Sequence, residues 1–394
     1  LVAGGDGLAR EPGGRVVFVP GVLAGEQVAV RLVSAKRDFA RAELVEVLEP
    51  SPERVEAACA ARRRGCGGCD WQHVRPSHQV AAKLELVREA LRRTARLVDV
   101  ELDVGGSVPP WAYRTSMRLA VDRHGAVSLR RARTNEAVVL DHCPIAHPLL
   151  DELVHSARFR GADEVSLRVG ISSGERSAWW TRAHPGDAVE VEGLAADVRT
   201  GPDAVVHEEV AGHRFRVSAE SFFQSGPAAA ELLVDTVREF GGGELATASH
   251  LVDAYGGVGL FAVALAPAGS RVTLVEGSAA AVADARVNLA GRPDVAADVV
   301  ATAVERWAPA ANQRPDVIVA DPSRQGLGAA VDVLAGAGAS VLVLVGCDPV
   351  AFARDAGRLA ASGYRLERGR VLDLFPHTHH VEVVGRFERT NDVS

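Results

Sequence analysis

The chain has 394 residues, 47% hydrophobic and 24% charged, enough for two or three well-buried domains of an ordinary globular protein. No apolar run approaches the roughly 18–20 residues that a membrane-spanning helix needs, and no secretory leader is evident, so a cytoplasmic, membrane-free protein is expected. The net charge of −7 hides an asymmetry: residues 1–135 hold 22 Lys+Arg against 16 Asp+Glu, and the remainder holds 22 against 35. A basic front half joined to an acidic back half suits an RNA-gripping module attached to a small-molecule enzyme, although solvated surface charge reads the same way.

Leu1 opens within what already reads as a domain, so an N-terminal trimming is expected. Short strands at 15–19 (RVVFV), 27–32 (QVAVRL) and 42–48 (AELVEVL), broken by glycines and Pro20-Gly21, predict a small OB-like β-barrel over residues 1–55. A cysteine-rich loop follows at 59–69, then an amphipathic helix over 76–97. Strands return at 118–122, 127–131, 164–169 and 214–217, which predicts a central antiparallel α+β domain over 56–217. From 218 to 394 the rhythm changes. Strands at 251–254, 271–275, 298–301, 316–320 and 340–345 alternate with Ala-rich helices, and runs such as VIVA and VLVLV are apolar on both faces, the mark of a parallel sheet. Two last strands, 365–374 and 380–386, have no helix between them and are expected to pair antiparallel at the sheet edge. The fold class is therefore multidomain α/β with a Rossmann-like C-terminal domain.

After the strand HLVDAY comes a glycine turn, Gly256, Gly257 and Gly259, leading into the helix LFAVALA. Such a turn lets backbone amides approach a ligand closely. Glu276 closes the next strand, where an acidic side chain can accept both ribose hydroxyls of a nucleoside cofactor. The G-x-G-x-x-G spacing of dinucleotide sites is absent, and GGVG after Asp253 is similar to the first motif of S-adenosylmethionine methyltransferases.

Four of the five cysteines group together: Cys59, Cys66 and Cys69 as C-x6-C-x2-C, and Cys143 in DHCPI. In a cytosolic chain this points to metal rather than disulfides, and four thiolates suit structural zinc or an iron–sulfur cluster equally. The fifth, Cys347 in VLVLVGCDP, sits at the C-terminal end of a parallel strand, where open α/β sheets place their ligands. It reads as a buried apolar cysteine or as a nucleophile. Asp321, in DPSRQG, closes the preceding strand in the same crevice. Beside S-adenosylmethionine, a thiolate and a carboxylate have a clear use. Carbon 5 of uracil attacks a sulfonium methyl only after a thiolate adds to carbon 6, and a base must then remove the carbon-5 proton. Cys347 and Glu382 fit these two roles.

With these residues in place the whole chain resembles the RNA uracil-5-methyltransferases that carry a TRAM domain and a [4Fe-4S] cluster. GGDGLAR…GRVVFVPGVLAGE, C-x6-C-x2-C with CPI, FFQSG, DAYGGVG, DPSRQG, GCDP and FPHTHHVE occur in the family order. The resemblance implies Cys347 as nucleophile, Glu382 as base, cofactor contacts from Gln224, Tyr255, Glu276 and Asp321, and iron rather than zinc on the cysteines. It implies RNA as partner, ribosomal before transfer RNA, and a monomer is the default. The chain departs from the pattern at Gly226 (commonly Asn), Leu260 (frequently Asn), Ser323 (DPSR for DPPR) and Ala303, none of them a catalytic position. The rival readings are an RNA-binding protein whose methyltransferase fold has lost activity, and a methyltransferase of small molecules. His377, His379 and His380 are read as positioning Glu382 rather than holding metal. Trp111, Trp179 and Trp180 are read as core.

Overall fold

A computed structural model describes the whole chain except residues 12, 185, 187, 310–312 and 391–394. The front of the chain forms a four-stranded sheet in the order Gly7–Arg10, Val16–Val19, Phe39–Glu49, Gln27–Ala35. Its own core is small, centred on Val17, Val19, Val22, Ala40 and Ala42. The first strand was not expected. GLAR is too short and too polar to show alternation, and it forms because Val16–Val19 offers it a complete antiparallel ladder.

The central region is a mixed six-stranded sheet. Its middle strands are Ser116–Val121, Ala162–Val169 and Arg176–Arg182, and the short strand Val198–Thr200 joins parallel to the last of these. The helix expected at 76–97 runs as an α-helix over Pro76–Ala90 and ends in one π turn, Leu91–Ala95, stopped by Arg96 in the left-handed region (φ 59°). Trp111 and Trp180 pack against the core, as read from the sequence.

The C-terminal sheet has eight strands in the order Ala296–Ala301, Arg271–Glu276, His250–Ala254, Val317–Ala320, Val341–Gly346, Glu382–Arg389, Tyr364–Asp373, Glu101–Ser107. The first five are parallel, the second to fifth of them buried on both faces and the edge strand Ala296–Ala301 mostly exposed, and Glu382–Arg389 runs antiparallel to its two neighbours, as expected. The edge is different. Glu101–Ser107 leaves the front half of the chain and caps the sheet in parallel with Tyr364–Asp373, so the terminal pair is internal. The helix Pro76–Ala90 travels with it, sending buried Lys83 to Asp373 at 2.6 Å. A division at residue 218 therefore cuts through one sheet. The reason is burial: with a strand on its outer side, Tyr364–Asp373 no longer exposes a row of unpaired backbone groups. Among the described residues, no helix is long and apolar enough to cross a membrane.

Candidate functional site

Strand register gathers the site along one edge of the large sheet. Ala254 lies across from Val275 on one side and Ala320 on the other, so Tyr255, Glu276 and Asp321 emerge together at the C-terminal ends of their strands. Gly346 pairs with Val383 in the antiparallel ladder, which sets Cys347 beside Glu382. Residues from five separate stretches, around 255, 276, 321, 347 and 382, thus gather along one edge.

The turn after His250–Ala254 is made of backbone bent where side chains are least welcome. Tyr255, Gly257 and Gly259 all have positive φ (60°, 54° and 92°), and a Cβ on Gly256 would come within 2.5 Å of Leu274. Glu276 closes over the turn: one carboxylate oxygen accepts the Gly257 N–H at 3.0 Å and the other accepts the Ser278 N–H at 2.6 Å. Each oxygen keeps a lone pair, so the carboxylate can still accept ribose hydroxyls. The Tyr255 hydroxyl donates to Glu305 at 3.1 Å.

Beneath the turn, Asp253 is wholly buried. One of its oxygens accepts the Ala262 N–H at 2.8 Å, and the other has no partner. Burial first, then the nearby Asp321 and Glu276 carboxylates, push its pKa up to about 7. Half-buried Asp321 is also raised to about 7 by burial, against the pull of Gln224, whose side-chain amide donates to it at 3.2 Å. Three crowded carboxylates and one orphaned oxygen make this pocket short of positive charge.

Cys347 and Glu382 share the same condition. Burial, with Glu382 and Asp321 adding to it, pushes the Cys347 thiol up to about 12. Burial and Asp321 raise the Glu382 carboxyl well above the usual carboxylate range. Arg324 pulls both down and contacts His380 Nε2 at 3.3 Å. Burial beside other acids thus favours the protonated form of both groups.

Beside them lies the FFQSG loop. Phe223 is buried against Phe215, with ring centroids 6.1 Å apart, while Phe222 is 72% exposed. The sequence reading passed over Phe222; the doubled aromatic was the available signal, since a loop needs only one to anchor it. Gly226 stands where a Cβ would meet the Tyr113 carbonyl oxygen at 2.4 Å, so the departure from Asn follows from the backbone crossing there. Leu260 is buried in the core, Ser323 is exposed, and Ala303 is half-buried beside Gly277.

Cys59, Cys66, Cys69 and Cys143 are all buried, unpaired by disulfides and packed into one cluster. Burial and mutual proximity push Cys69 up to about 12 and Cys143 up to about 11. Gly68 donates its N–H toward Cys66 Sγ at 3.5 Å. Among the described residues no three His, Cys, Asp or Glu side chains are disposed around a single metal ion, the histidines of FPHTHHVE included. His377 instead stacks on Trp111, with centroids 4.1 Å apart, and His379 bonds Asp70.

Comparison with known proteins places this geometry among relatives. The TRAM domain family profile matches residues 3–45. An RNA methyltransferase of Streptomyces avermitilis is 36% identical across 98% of this chain and 95% of its own length. One from Streptomyces coelicolor is 37% identical across 98% and 90%. Among solved structures, the Pyrococcus abyssi tRNA (uracil-54, C5)-methyltransferase bound to S-adenosyl-L-homocysteine superposes with a TM-score of 0.70, at 23% identity, covering 97% of this chain and all of that one. That likeness is one of fold.

Proposed function

The chain belongs to the RNA methyltransferase family, with a TRAM domain at its front, and from that premise we propose that it methylates carbon 5 of a uridine in RNA. The observation that carries the reading is that Cys347 and Glu382 lie side by side just past the last pair of one ladder, Gly346 with Val383, and near Asp321. A cysteine and a carboxylate held together there have no use in methylating an oxygen or nitrogen that is already nucleophilic. Carbon 5 of uracil requires both.

S-adenosylmethionine, when bound, supplies an electrophilic methyl group. Its sulfonium and ammonium charges fit the three carboxylates of Asp253, Glu276 and Asp321, which would repel the pyrophosphate of a dinucleotide. Gly256, Gly257 and Gly259 would let the backbone close on it, Glu276 would accept the ribose hydroxyls, and Gln224, Tyr255 and Asp321 would complete its contacts.

The chain's own groups then act in order. The Cys347 thiolate adds to carbon 6 of the flipped base, and the electron pair moves to carbon 5, which takes the methyl group. Glu382, ionised, removes the proton from carbon 5. The carbon 6–sulfur bond breaks and the thiolate is restored. Arg324 favours the charged form of both groups. Phe222, exposed beside Gln224, offers its face to a base.

Cys59, Cys66, Cys69 and Cys143 would hold a [4Fe-4S] cluster that ties the loop 59–69 to the region around Cys143. Four buried thiols without a disulfide support this, since thiolates are the usual ligands of such a cluster. Ribosomal RNA is the proposed substrate, acted on by the monomer. Incubation with labelled S-adenosylmethionine and undermethylated total RNA, followed by size separation and nucleoside digestion, tests both statements. Label in 5-methyluridine from the large RNAs supports them; label confined to transfer RNA overturns the substrate class, and label in any other nucleoside overturns the reaction.

A further inference from the structure

The three residues after Cys69 reach three different parts of the molecule. Asp70 accepts from both the backbone N–H of His379, at 3.2 Å, and its ring Nδ1, at 2.7 Å. Trp71, fully buried, donates its indole N–H to the Gly5 carbonyl of the front sheet at 3.2 Å and its backbone N–H to the His377 carbonyl at 2.8 Å. Gln72 accepts the Cys59 N–H at 3.0 Å. The next helix continues the grip. Buried Gln79 accepts the His377 N–H at 2.7 Å, and Lys83 donates to the Phe375 carbonyl at 3.0 Å.

The bonds of Asp70, the Trp71 backbone, Gln79 and Lys83 converge on residues 374–381, the connection that ends at Glu382. That connection has no regular structure of its own, and His377 within it is held in the left-handed region (φ 67°). A non-glycine residue in that region costs about 1–2 kcal/mol and persists only when its surroundings fix it. Here the surroundings are supplied by residues about 300 positions earlier in the chain. His379, three residues before Glu382, is held by one carboxylate alone.

We propose that Asp70 is a positioning residue for the reaction: by holding His379 it fixes the connection 374–381 and so sets the Glu382 carboxyl against the substrate carbon that Cys347 has activated. The inference rests on Glu382 being the base. It also gives the cysteine loop a reason to stand where it does, since Cys69 is Asp70's neighbour and Gln72 ties the same segment back to Cys59. Gly5 caps the pair from the front sheet. A Cβ there would stand 2.7 Å from the Asp70 carboxylate and 2.9 Å from His379 Cβ, so the segment leading into the front sheet, too, bears on the base.

The test compares Asp70→Ala, Asp70→Asn, Gly5→Ala and Glu382→Gln with the wild type. Turnover on RNA, covalent protein–RNA adduct on denaturing gels, iron per chain and thermal shift with S-adenosylmethionine are measured for each. A misplaced base slows elimination more than addition, so Asp70→Ala should lose about 10- to 100-fold in turnover while the adduct accumulates as in Glu382→Gln. Iron content and cofactor shift should stay at wild-type level. Asp70→Asn keeps one acceptor and should fall between, and Gly5→Ala should reproduce the adduct without altering a polar group. The proposal is overturned if Asp70→Ala turns over normally, or if turnover is lost without adduct while Glu382→Gln shows it. It is equally overturned if the loss only tracks lost iron or cofactor binding. If Glu382→Gln itself yields no adduct, Glu382 is not the base and the positioning role falls with it. Should Asp70→Ala fail to fold, the Asn and Gly5 variants decide.

Discussion

Replacing Asp253 by Asn isolates the electrostatic cost of the pocket. The wild-type carboxyl is wholly buried, takes one backbone N–H at 2.8 Å, leaves one oxygen without a partner, and has its pKa raised from 3.8 to about 7. The sign follows from proton binding. An acid whose folded pKa is raised binds its proton more tightly in the native state, so its stabilising contribution is full below pH 4 and is lost as pH climbs to 7. With those two pKa values the folded protein loses roughly 2–3 kcal/mol between pH 5 and pH 8 through this one group. Asn has the same shape and no proton to lose. Its amide oxygen can take the Ala262 N–H, and its NH2 inherits the unpartnered place at a pH-independent cost of about 1–3 kcal/mol. The absolute stabilities can therefore cross, but their difference must change with pH. Urea unfolding of the cofactor-free proteins at pH 5 and pH 8 should show Asp253→Asn gaining on wild type by roughly 2–3 kcal/mol over that interval. Parallel pH profiles would refute the buried, proton-holding Asp253, and with it the case for a pocket short of positive charge.

Other consequences are as direct. Activity of the wild type should rise with pH into the alkaline range, because Cys347 is pushed up to about 12 and Glu382 is raised as well, and both must ionise. Arg324→Met removes the charge that lowers both and should displace the profile further to high pH in kcat measurements; an unmoved profile would remove Arg324 from the site's electrostatics. Lys83→Met strands Asp373 in the interior and should cost about 3–5 kcal/mol of stability, most of it recovered in the double variant with Asp373→Leu. A single variant with an unchanged unfolding midpoint would contradict that. Phe222→Ala should leave the thermal midpoint unchanged, since the ring is 72% exposed, and raise KM for RNA about 5- to 100-fold. Loss of stability instead would make Phe222 a packing residue.

What the sequence disclosed follows from how each feature is built. Four of the five parallel strands were legible because burial on both faces leaves apolar runs, and each of the four leads to a residue of the candidate site; the mostly exposed Ala296–Ala301 does neither. Register then did the rest, so Cys347 and Glu382, 35 positions apart, needed only the antiparallel hairpin to meet. Glu101–Ser107 was not legible: ELDVGGS is an edge strand with two glycines and mostly exposed side chains, and only the strand it pairs with makes it one. The Asp70–His379 and Gln79–His377 bonds are invisible for a different reason. Buried polar side chains look in sequence like surface ones, and their partners lie at separations of 309 and 298 residues. Two of the three histidines, His377 and His379, lean on residues from the far end of the chain, which no local pattern could show.

In the proposed reaction Cys347 forms a bond to a uridine on the way to its methylation. The direct measurement is methyl transfer from labelled S-adenosylmethionine to undermethylated RNA by wild type and Cys347→Ala, with digestion of the product to nucleosides. The wild type should yield 5-methyluridine and the variant none, although the variant still binds the cofactor. 5-Methyluridine formed by Cys347→Ala at the wild-type rate would contradict that reaction.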